Sequence, residues 1–284
     1  DADLAMACDP DGDRIGIAVK NDAGEWTLLN GNQTNIIFTE YIIRRKKELN
    51  QLKGGEYTVK TIVTTELIKD IAEKNHIICY DVYTGFKWIA DIIRKEGGEK
   101  FIGGGEESFG YMPGAFTRDK DGVSATSLMA EIAAWVKMQN KTLYSFLKEI
   151  YAKYGFSQER MIYIVRKGLS GAQEIKAMME EFRHNTPKEI NHSPVVLKKD
   201  YLSLEATNLQ TGEKTHLDFE TKSDVLQFFL ADGSKISVRP SGTEPKIKFY
   251  FEARTQMKDI NDYERAQQEA NARIDAIIEY LKIQ

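Results

Sequence analysis

The first part of the chain alternates short apolar runs with longer segments whose apolar residues recur at helical spacing. The short runs predict β-strands at residues 4–8, 15–19, 59–63, 76–80 and 101–103. The amphipathic segments predict helices at 32–49, 66–74, 86–94, 123–138 and 143–151. Turn residues at 21–24 predict a hairpin between the second strand and the next. Strands that alternate with helices predict an α/β domain with a parallel or mixed sheet.

The pattern changes near residue 154, where we place a domain boundary. A strand at 160–165 and a helix at 172–183 are followed by a region, 195–253, in which strands dominate. Turns are predicted at Thr211-Gly212 and Asp232-Gly233. A closing amphipathic helix at 259–281 has an apolar face, so the second domain is expected to be α+β, an antiparallel sheet with flanking helices.

Composition narrows the class of protein. Of 284 residues, 42% are hydrophobic and 29% charged, with a net charge of −4, which gives no reason to expect nucleic-acid binding. The only cysteines, Cys8 and Cys79, fit a reduced cytoplasmic protein without disulfides. No apolar run predicts a membrane span or a signal peptide. Because the chain opens without Met just before a predicted buried strand, we expect it to be part of a longer protein.

Three aspartates, Asp9, Asp11 and Asp13, follow the first strand in a loop that continues to Arg14. Carboxylates at alternate positions of a tight loop can converge on one hard divalent cation. A site with only a few protein ligands leaves room for water and a phosphate oxygen, which favours Mg²⁺ over Ca²⁺. Without a metal they repel one another, so a cation or Arg14 has to compensate. An acidic surface turn is the weaker interpretation.

A glycine-rich segment, residues 103–110, follows the strand predicted at 101–103. If the segment is extended, Glu106 and Ser108 point to the same side and suit a polyol, whose hydroxyls need acceptors and donors. A flexible loop with solvated acids is an equally good interpretation of this segment alone. Two further segments can join it: residues 84–88, at a helix N-terminus that can receive an anion, and residues 118–122, a charge run. Lys120 contributes only if it folds toward Glu106.

Residues 239–245, Arg-Pro-Ser-Gly-Thr-Glu-Pro, lie between two strand-like runs. The planar guanidinium of Arg239 can donate two parallel hydrogen bonds to a phosphate. The hydroxyls add polar groups, and the glycine lets backbone amides approach an anion, so this segment can hold a phosphate. Lys248 alternates with apolar neighbours, so it points away from the core and can support Arg239. Taken alone, the segment is better interpreted as a simple turn, and the other two loops are what favour a phosphate site.

These loops, in this order, resemble the α-D-phosphohexomutase family, most closely its phosphoglucomutase branch of the bacterial type. The matches are DPDGDR at 9–14, TGFK at 84–87, GEESFG at 105–110, RDKDG at 118–122 and RPSGTEPKIKFY at 239–250. The family has four domains. The resemblance implies that 1–26 is the tail of domain 2 with the metal loop, 27–152 is domain 3 with the sugar loop, and 153–284 is domain 4 with the phosphate loop.

The resemblance also implies residue roles and chemistry. A phosphoserine passes its phosphoryl group to a hexose phosphate, and the resulting hexose 1,6-bisphosphate then returns its other phosphate to the serine. Mg²⁺ neutralises charge during the transfer. The implied metal ligands are Asp9, Asp11 and Asp13, and the residues implied beside the reacting group are Arg14 and Lys120. The implied substrate contacts are Thr84, Gly85, Lys87, Glu106, Ser108, Arg118, Arg239, Ser241, Gly242, Thr243 and Lys248.

One essential part of that chemistry is absent from the sequence. The family's serine lies in a T-A-S-H-N-P type loop, which this chain lacks, and His192-Ser193-Pro194 has a different order. We therefore expect the chain to be inactive alone and to need the N-terminal domains of the same polypeptide. Glucose phosphate is the expected substrate, with mannose or pentose phosphate as alternatives. A haloacid-dehalogenase-like phosphatase, suggested by the Asp9–Asp11 spacing, and a non-catalytic sugar-phosphate binding module remain alternatives of other classes.

Overall fold

The computed structural model describes residues 2–166, 168–242 and 244–283. Its chain divides into two compact units. The first unit consists of Asp1–Gly155 with Met257–Tyr263, and the second of Phe156–Gln256 with Glu264–Gln284.

The first unit opens with a small antiparallel sheet of three strands. Its members are β1 (Leu4–Cys8), β2 (Ile15–Lys20) and β3 (Trp26–Leu29). The predicted hairpin between β2 and β3 is confirmed, because Asn21 Oδ1 accepts the amides of Ala23 and Glu25 at 3.0 and 2.9 Å. β1 pairs with β2 up to Cys8 opposite Ile15, so residues 9–14 form the connection between the two strands.

The first unit continues with a mixed sheet and five helices. In chain order these are α1 (Gly31–Glu48), β4 (Tyr57–Thr61), α2 (Leu67–Lys74), β5 (Ile78–Val82), α3 (Phe86–Glu96), β6 (Phe101–Glu106), β7 (Gly110–Met112), α4 (Gly122–Lys137) and α5 (Leu143–Tyr154). The strand order is β5-β4-β6-β7, in which β4 is parallel to both neighbours and β7 is antiparallel to β6. The α/β domain with a mixed sheet is therefore confirmed.

The mixed sheet and α3 share a buried apolar core. Tyr57 and Val59 of β4, Phe86 and Ile89 of α3 and Met112 of β7 form one buried cluster. Each such side chain contributes about 1.5–3 kcal/mol by leaving water. The carboxyl ends of the parallel strands β4, β5 and β6 lie at one edge, the position at which open α/β sheets bind their ligands.

The second unit is an antiparallel sheet with flanking helices. Its elements are β8 (Phe156–Val165), α6 (Gly168–His184), β9 (Glu189–Ile190), β10 (Ser193–Asp200), β11 (Glu205–Asn208), β12 (Lys214–His216), β13 (Leu226–Leu230), β14 (Lys235–Pro240), β15 (Lys246–Thr255) and α7 (Tyr263–Tyr280). The order is β12-β11-β10-β13-β14-β15-β8, with β9 paired to β10. Phe182 of α6 packs on Phe228 and Phe249. The predicted α+β class is confirmed.

Two strand boundaries were predicted wrongly because a turn follows the preceding helix or strand and was included in the predicted strand. The strand predicted at 59–63 is Tyr57–Thr61, because the apolar run continues into a turn in which Thr64 N–H donates to the Thr61 carbonyl. The strand predicted at 76–80 is Ile78–Val82, because His76 has φ +60° just after α2. Strand β7 was missed. In the part of the chain that the structure describes, we find no helix with the length and apolarity to cross a membrane.

Candidate functional site

The aspartate loop between β1 and β2 is closed by its own first carboxylate. Asp9 Oδ1 accepts the amides of Asp13 and Arg14 at 3.2 and 3.3 Å, and Asp9 Oδ2 lies 3.3 Å from Arg14 Nη1. Burial raises the pKa of Asp9, but these hydrogen bonds and the Arg14 charge outweigh it and hold the pKa below its ordinary value. Gly12, at φ +72°, makes the turn possible. Asp9 is therefore ionised and already paired.

Lys120 contacts the same loop from the segment before α4. Its ammonium lies 2.8 Å from Asp13 Oδ2 and 3.4 Å from Asp119 Oδ1, and its side chain is 15% exposed. Burial lowers the pKa of Lys120, but the hydrogen bonds and charges of Asp13 and Asp119 together outweigh it, so the pKa lies above the ordinary value. The Gly122 amide also donates to the Gly12 carbonyl at 3.2 Å. The start of α4 is thereby fixed to the aspartate loop.

The aspartates suit a divalent cation by the chemistry of their carboxylate oxygens. No three acidic, histidine or cysteine side chains gather as a metal-binding group among the residues that the structure describes. Asp11 is exposed, while Asp9 and Asp13 are neutralised by Arg14 and Lys120. Asp13 Oδ1 is buried without a hydrogen-bond partner among the described residues. A hard cation could use that oxygen, so the donor set fits Mg²⁺, and the ligand assignment stays a prediction.

Glu106 lies at the carboxyl end of β6, where the predicted sugar loop begins, and is 7% exposed. Its Oε1 accepts the amide of Gly85, the residue that caps α3 at φ +117°. Its Oε2 lies 3.4 Å from Ser108 Oγ, which donates to it. Glu106 therefore joins two of the predicted segments, residues 84–88 and 103–110, at one sheet edge, and Thr84 lies half-buried beside them.

The local structure behind the Glu106–Ser108 contact differs from the prediction. The segment is not extended, because β6 ends at Glu106 and residues 107–109 form a turn, with Phe109 at φ +68°. Hairpin pairing of Glu106 with Gly110 produces this turn. Glu106 and Ser108 nevertheless share a side because the turn folds the serine hydroxyl back onto the carboxylate.

Sequence reasoning missed Asn35, which anchors this loop from α1. Its Nδ2 donates to the Glu106 carbonyl oxygen at 2.7 Å, and the residue is 1% exposed. A β-carbon on Gly105 would lie 2.0 Å from Asn35 Oδ1, so the third glycine of the run allows α1 to approach. An asparagine on the buried side of a helix was the available signal, since a buried polar group needs a partner.

Two predicted substrate contacts point elsewhere in this structure. Lys87 is exposed, and its ammonium lies 4.8 Å from the centre of the Trp88 ring. Arg118 is exposed, and its guanidinium donates to the carbonyls of Ala115 and Thr117 in its own loop. By contrast, Lys120 packs beside the sugar loop. Its Cδ would lie only 2.9 Å from a β-carbon placed on Gly110.

In the second unit, Arg239 and Lys248 are directly opposite neighbours on β14 and β15. Directly opposite residues of an antiparallel pair share a face of the sheet. Both are partly exposed, whereas Val238 and Phe249 beside them are fully buried. The predicted outward orientation of Lys248 is confirmed, and two cationic residues occupy paired positions close to the hairpin loop.

Two hydrogen bonds of Ser241 help to close the hairpin loop. Ser241 N–H donates to the Lys246 carbonyl at 2.8 Å, and Ser241 Oγ accepts the Glu244 amide at 3.3 Å. Apart from its chain neighbours, no described atom lies within 4 Å of a β-carbon placed on Gly242, so the side-chain position of Gly242 is open. Thr243, which the sequence predicts as a phosphate contact, lies outside the described residues.

Models of one protein family match both units. Residues 30–154 match "Phosphoglucomutase/phosphomannomutase, alpha/beta/alpha domain III", and residues 174–276 match "Phosphoglucomutase/phosphomannomutase, C-terminal domain". The two matches together cover most of the chain. This chain belongs to the phosphoglucomutase/phosphomannomutase family.

Curated relatives agree with this assignment. Phosphoglucomutase of Staphylococcus aureus strain MRSA252 is 35% identical over 274 residues, which is 96% of this chain and 48% of the relative. The protein of strain USA300 is 36% identical over 250 residues, 88% of this chain and 44% of the relative. The chain thus spans about half the length of the curated relatives it matches.

Solved structures show the same fold at low identity. Pp63/parafusin, a phosphoglucomutase from Paramecium in its open form, matches with a TM-score of 0.65 and 19% identity, over 97% of this chain and 46% of that one. A phosphoglucomutase/phosphomannomutase family protein from Burkholderia thailandensis matches with a TM-score of 0.55 and 15% identity, over 98% and 47%.

Proposed function

We propose that this chain supplies the sugar-binding and phosphate-binding parts of a phosphoglucomutase that interconverts glucose 1-phosphate and glucose 6-phosphate. The observation that carries the proposal is the arrangement of Glu106, whose carboxylate is fixed at the carboxyl edge of the sheet by Gly85 and Ser108. Fixed acceptors and donors at a sheet edge are what recognition of a polyol requires, because each sugar hydroxyl needs a partner in a defined place.

In this proposal the Glu106 loop binds the sugar. The Glu106 carboxylate accepts hydrogen bonds from sugar hydroxyls, and Ser108 donates or accepts one beside it. The half-buried Thr84 and the Gly85 backbone line the same edge. Lys87 and Arg118 would have to leave their present contacts with Trp88 and with the carbonyls of Ala115 and Thr117 to take part.

In the second unit, we propose that Arg239 and Lys248 hold the phosphate that does not react. Their side-by-side placement on adjacent strands supports this role, since two cations can share one dianion. Ser241, Gly242 and Thr243 would add hydroxyl and amide donors from the loop.

The aspartate loop would serve the reacting phosphate. Asp9, Asp11 and Asp13 would hold Mg²⁺, which when bound neutralises charge on the transferring phosphoryl group. Arg14 and Lys120 already place two cationic side chains at these carboxylates. They would orient the phosphoryl group and stabilise its negative charge.

The phosphoryl donor would be a phosphoserine contributed by N-terminal domains of the same polypeptide, with glucose 1,6-bisphosphate as intermediate and activator. This chain lacks the T-A-S-H-N-P type segment, so we propose that it binds the sugar phosphate without turning it over. Turnover by the pure chain, free of contaminating mutase, would contradict that part of the proposal.

Calorimetric titration of the chain with glucose 1-phosphate and Mg²⁺ tests the proposal, with Arg239→Ala as the paired variant. We expect binding by the wild type that weakens at least about tenfold in the variant, because a charged hydrogen-bonding partner of the phosphate is lost. Equal binding by both proteins would remove Arg239 from the site. Tighter binding of mannose 1-phosphate or a pentose phosphate would change the substrate, and release of inorganic phosphate would instead favour a phosphatase.

A further inference from the structure

Three hydrogen-bond donors form a row across neighbouring strands of the sheet in the second unit. Arg239 of β14 is directly opposite Lys248 of β15, and Lys248 is directly opposite Tyr163 of β8. Directly opposite residues of antiparallel strands share one face of the sheet, with β-carbons about 4.5–5.5 Å apart. The strand order β14-β15-β8 places Lys248 in the middle. We call Arg239, Lys248 and Tyr163 the outer row.

The outer row faces away from the apolar core of its unit. Tyr163 is 60% exposed, whereas Ile164, which follows it on β8, is buried. The ammonium of Lys246 lies 5.9 Å from the centre of the Tyr163 ring. Lys246 and Lys248 are two residues apart on one strand, so their side chains point to the same face. The phenol of Tyr163 is therefore on the face that carries Lys248 and Arg239.

The two cations of the outer row have no carboxylate partner in the part of the chain that the structure describes. The other cations of β14 and β15 are paired. Lys235 and Arg254 lie 3.1 and 3.6 Å from Glu252. Lys246 lies 2.5 Å from Glu244. Like charges at directly opposite positions destabilise a sheet, so an anion bound to the outer row would relieve their repulsion.

We propose that Tyr163 is a further substrate contact of the phosphate site, and that its hydroxyl donates a hydrogen bond to the phosphate held by Arg239 and Lys248. A phosphate group offers three strong acceptor oxygens, so two cations and one hydroxyl can all donate to it. Among the described residues, none forms a hydrogen bond with the Tyr163 hydroxyl, so its proton is available. This role of Tyr163 rests on the function proposed above.

Tyr163 can be changed without disturbing the fold. Its side chain is mostly exposed, so Tyr163→Phe removes an accessible hydroxyl and keeps the ring. Surface substitutions of this kind have small effects on stability. We expect the urea midpoint of the variant to equal that of the wild type, so that a change in ligand affinity reports the lost contact and not a loss of structure.

Calorimetric titration with glucose 1-phosphate compares the wild type with Tyr163→Phe. We expect the variant to bind roughly threefold to tenfold more weakly, because one hydrogen bond to the phosphate is lost. Tyr280→Phe is the matched control, since it removes an exposed tyrosine hydroxyl from α7 and should leave the affinity unchanged. Equal affinities of the wild type and Tyr163→Phe would overturn the contact.

NMR of the tyrosine rings identifies which part of the ligand Tyr163 meets. Its ring resonances, assigned by their loss in Tyr163→Phe, should shift with glucose 1-phosphate and with inorganic phosphate but not with glucose. A shift with glucose alone would overturn the phosphate contact. If inorganic phosphate shifts the ring but the wild type does not bind glucose 1-phosphate, the proposed function fails while the phosphate contact stands. If Arg239→Ala weakens binding and Tyr163→Phe does not, only the Tyr163 contact fails.

Discussion

Lys120 places its ammonium 2.8 Å from Asp13 Oδ2, so a residue that precedes α4 neutralises a carboxylate of the β1–β2 loop. The same loop is the predicted Mg²⁺ site. The ammonium and a divalent cation would therefore compete for one carboxylate, which makes the strength of metal binding depend on a residue remote in sequence.

Lys120→Met should accordingly tighten Mg²⁺ binding by roughly tenfold, because removing a unit charge a few ångströms from the site is worth about 1 kcal/mol or more. Mn²⁺ titration followed by electron paramagnetic resonance would measure it. Lys87→Met is the control, since Lys87 lies over Trp88, and should leave metal binding unchanged. Unaltered affinity in Lys120→Met would place the metal elsewhere.

Gly31→Ala should destabilise the first unit by about 1–3 kcal/mol, because the new β-carbon would lie 2.0 Å from the Glu107 carbonyl oxygen and force α1 away from the sugar loop. Urea unfolding measures the change. In Gly16→Ala the β-carbon meets only the Ala7 oxygen at 3.7 Å, so the free energy of unfolding should change by less than about 0.5 kcal/mol. Equal effects of the two substitutions would contradict the close approach.

Glu56→Gln should reduce the loss of unfolding free energy that occurs as the pH falls into the acid range. Burial raises the pKa of Glu56, but the amides of Lys53 and Gly54 and the charge of Lys100 outweigh it, so the folded-state pKa lies below the ordinary value. The ionised group therefore adds stability above the unfolded-state pKa, and that stability is lost as the pH falls through the folded-state pKa. Thermal unfolding between neutral and acid pH should show a steeper loss in the wild type than in the variant.

Lys248→Gln should weaken binding of glucose 1-phosphate several-fold while leaving Mg²⁺ binding unchanged. The physical reason is the loss of one of two adjacent cations on β14 and β15. A hydrogen bond to a charged group contributes about 1.5–3 kcal/mol, and the partial exposure of Lys248 lowers that contribution. Lys246→Gln is a matched control, because that ammonium is paired with Glu244 at 2.5 Å. Calorimetry of both variants measures the difference, and equal losses would argue for a diffuse charge effect.

Sequence periodicity was sufficient for the type of most elements and for both fold classes. Apolar spacing identified α1, α3, α4 and α5 within a few residues, because an amphipathic helix must bury one face. It failed where apolar residues continue through a turn, as at Ile62 and Val63 after β4, since hydrophobicity records burial and not backbone direction. The three-residue strand β7 is too short to show a period.

The candidate site was predictable as a set of loops but not as a set of contacts. The motifs identified Glu106 and Ser108, yet the bond from Gly85 and the anchor from Asn35 join residues 21 and 71 positions apart. Such pairings depend on sheet order, which local pattern does not specify. For the same reason nothing in the sequence indicated that Tyr163 would lie opposite Lys248.

Amide NMR of the isotopically labelled chain tests the central claim, sugar recognition at the Glu106 edge, most directly. Glucose 1-phosphate should shift the Gly85 and Ser108 amides of the wild type, whereas inorganic phosphate alone should leave them in place, because only the sugar carries hydroxyls for Glu106. Glu106→Gln should reduce the shifts. Gly85 and Ser108 amides that stay unchanged at saturating glucose 1-phosphate would contradict the account.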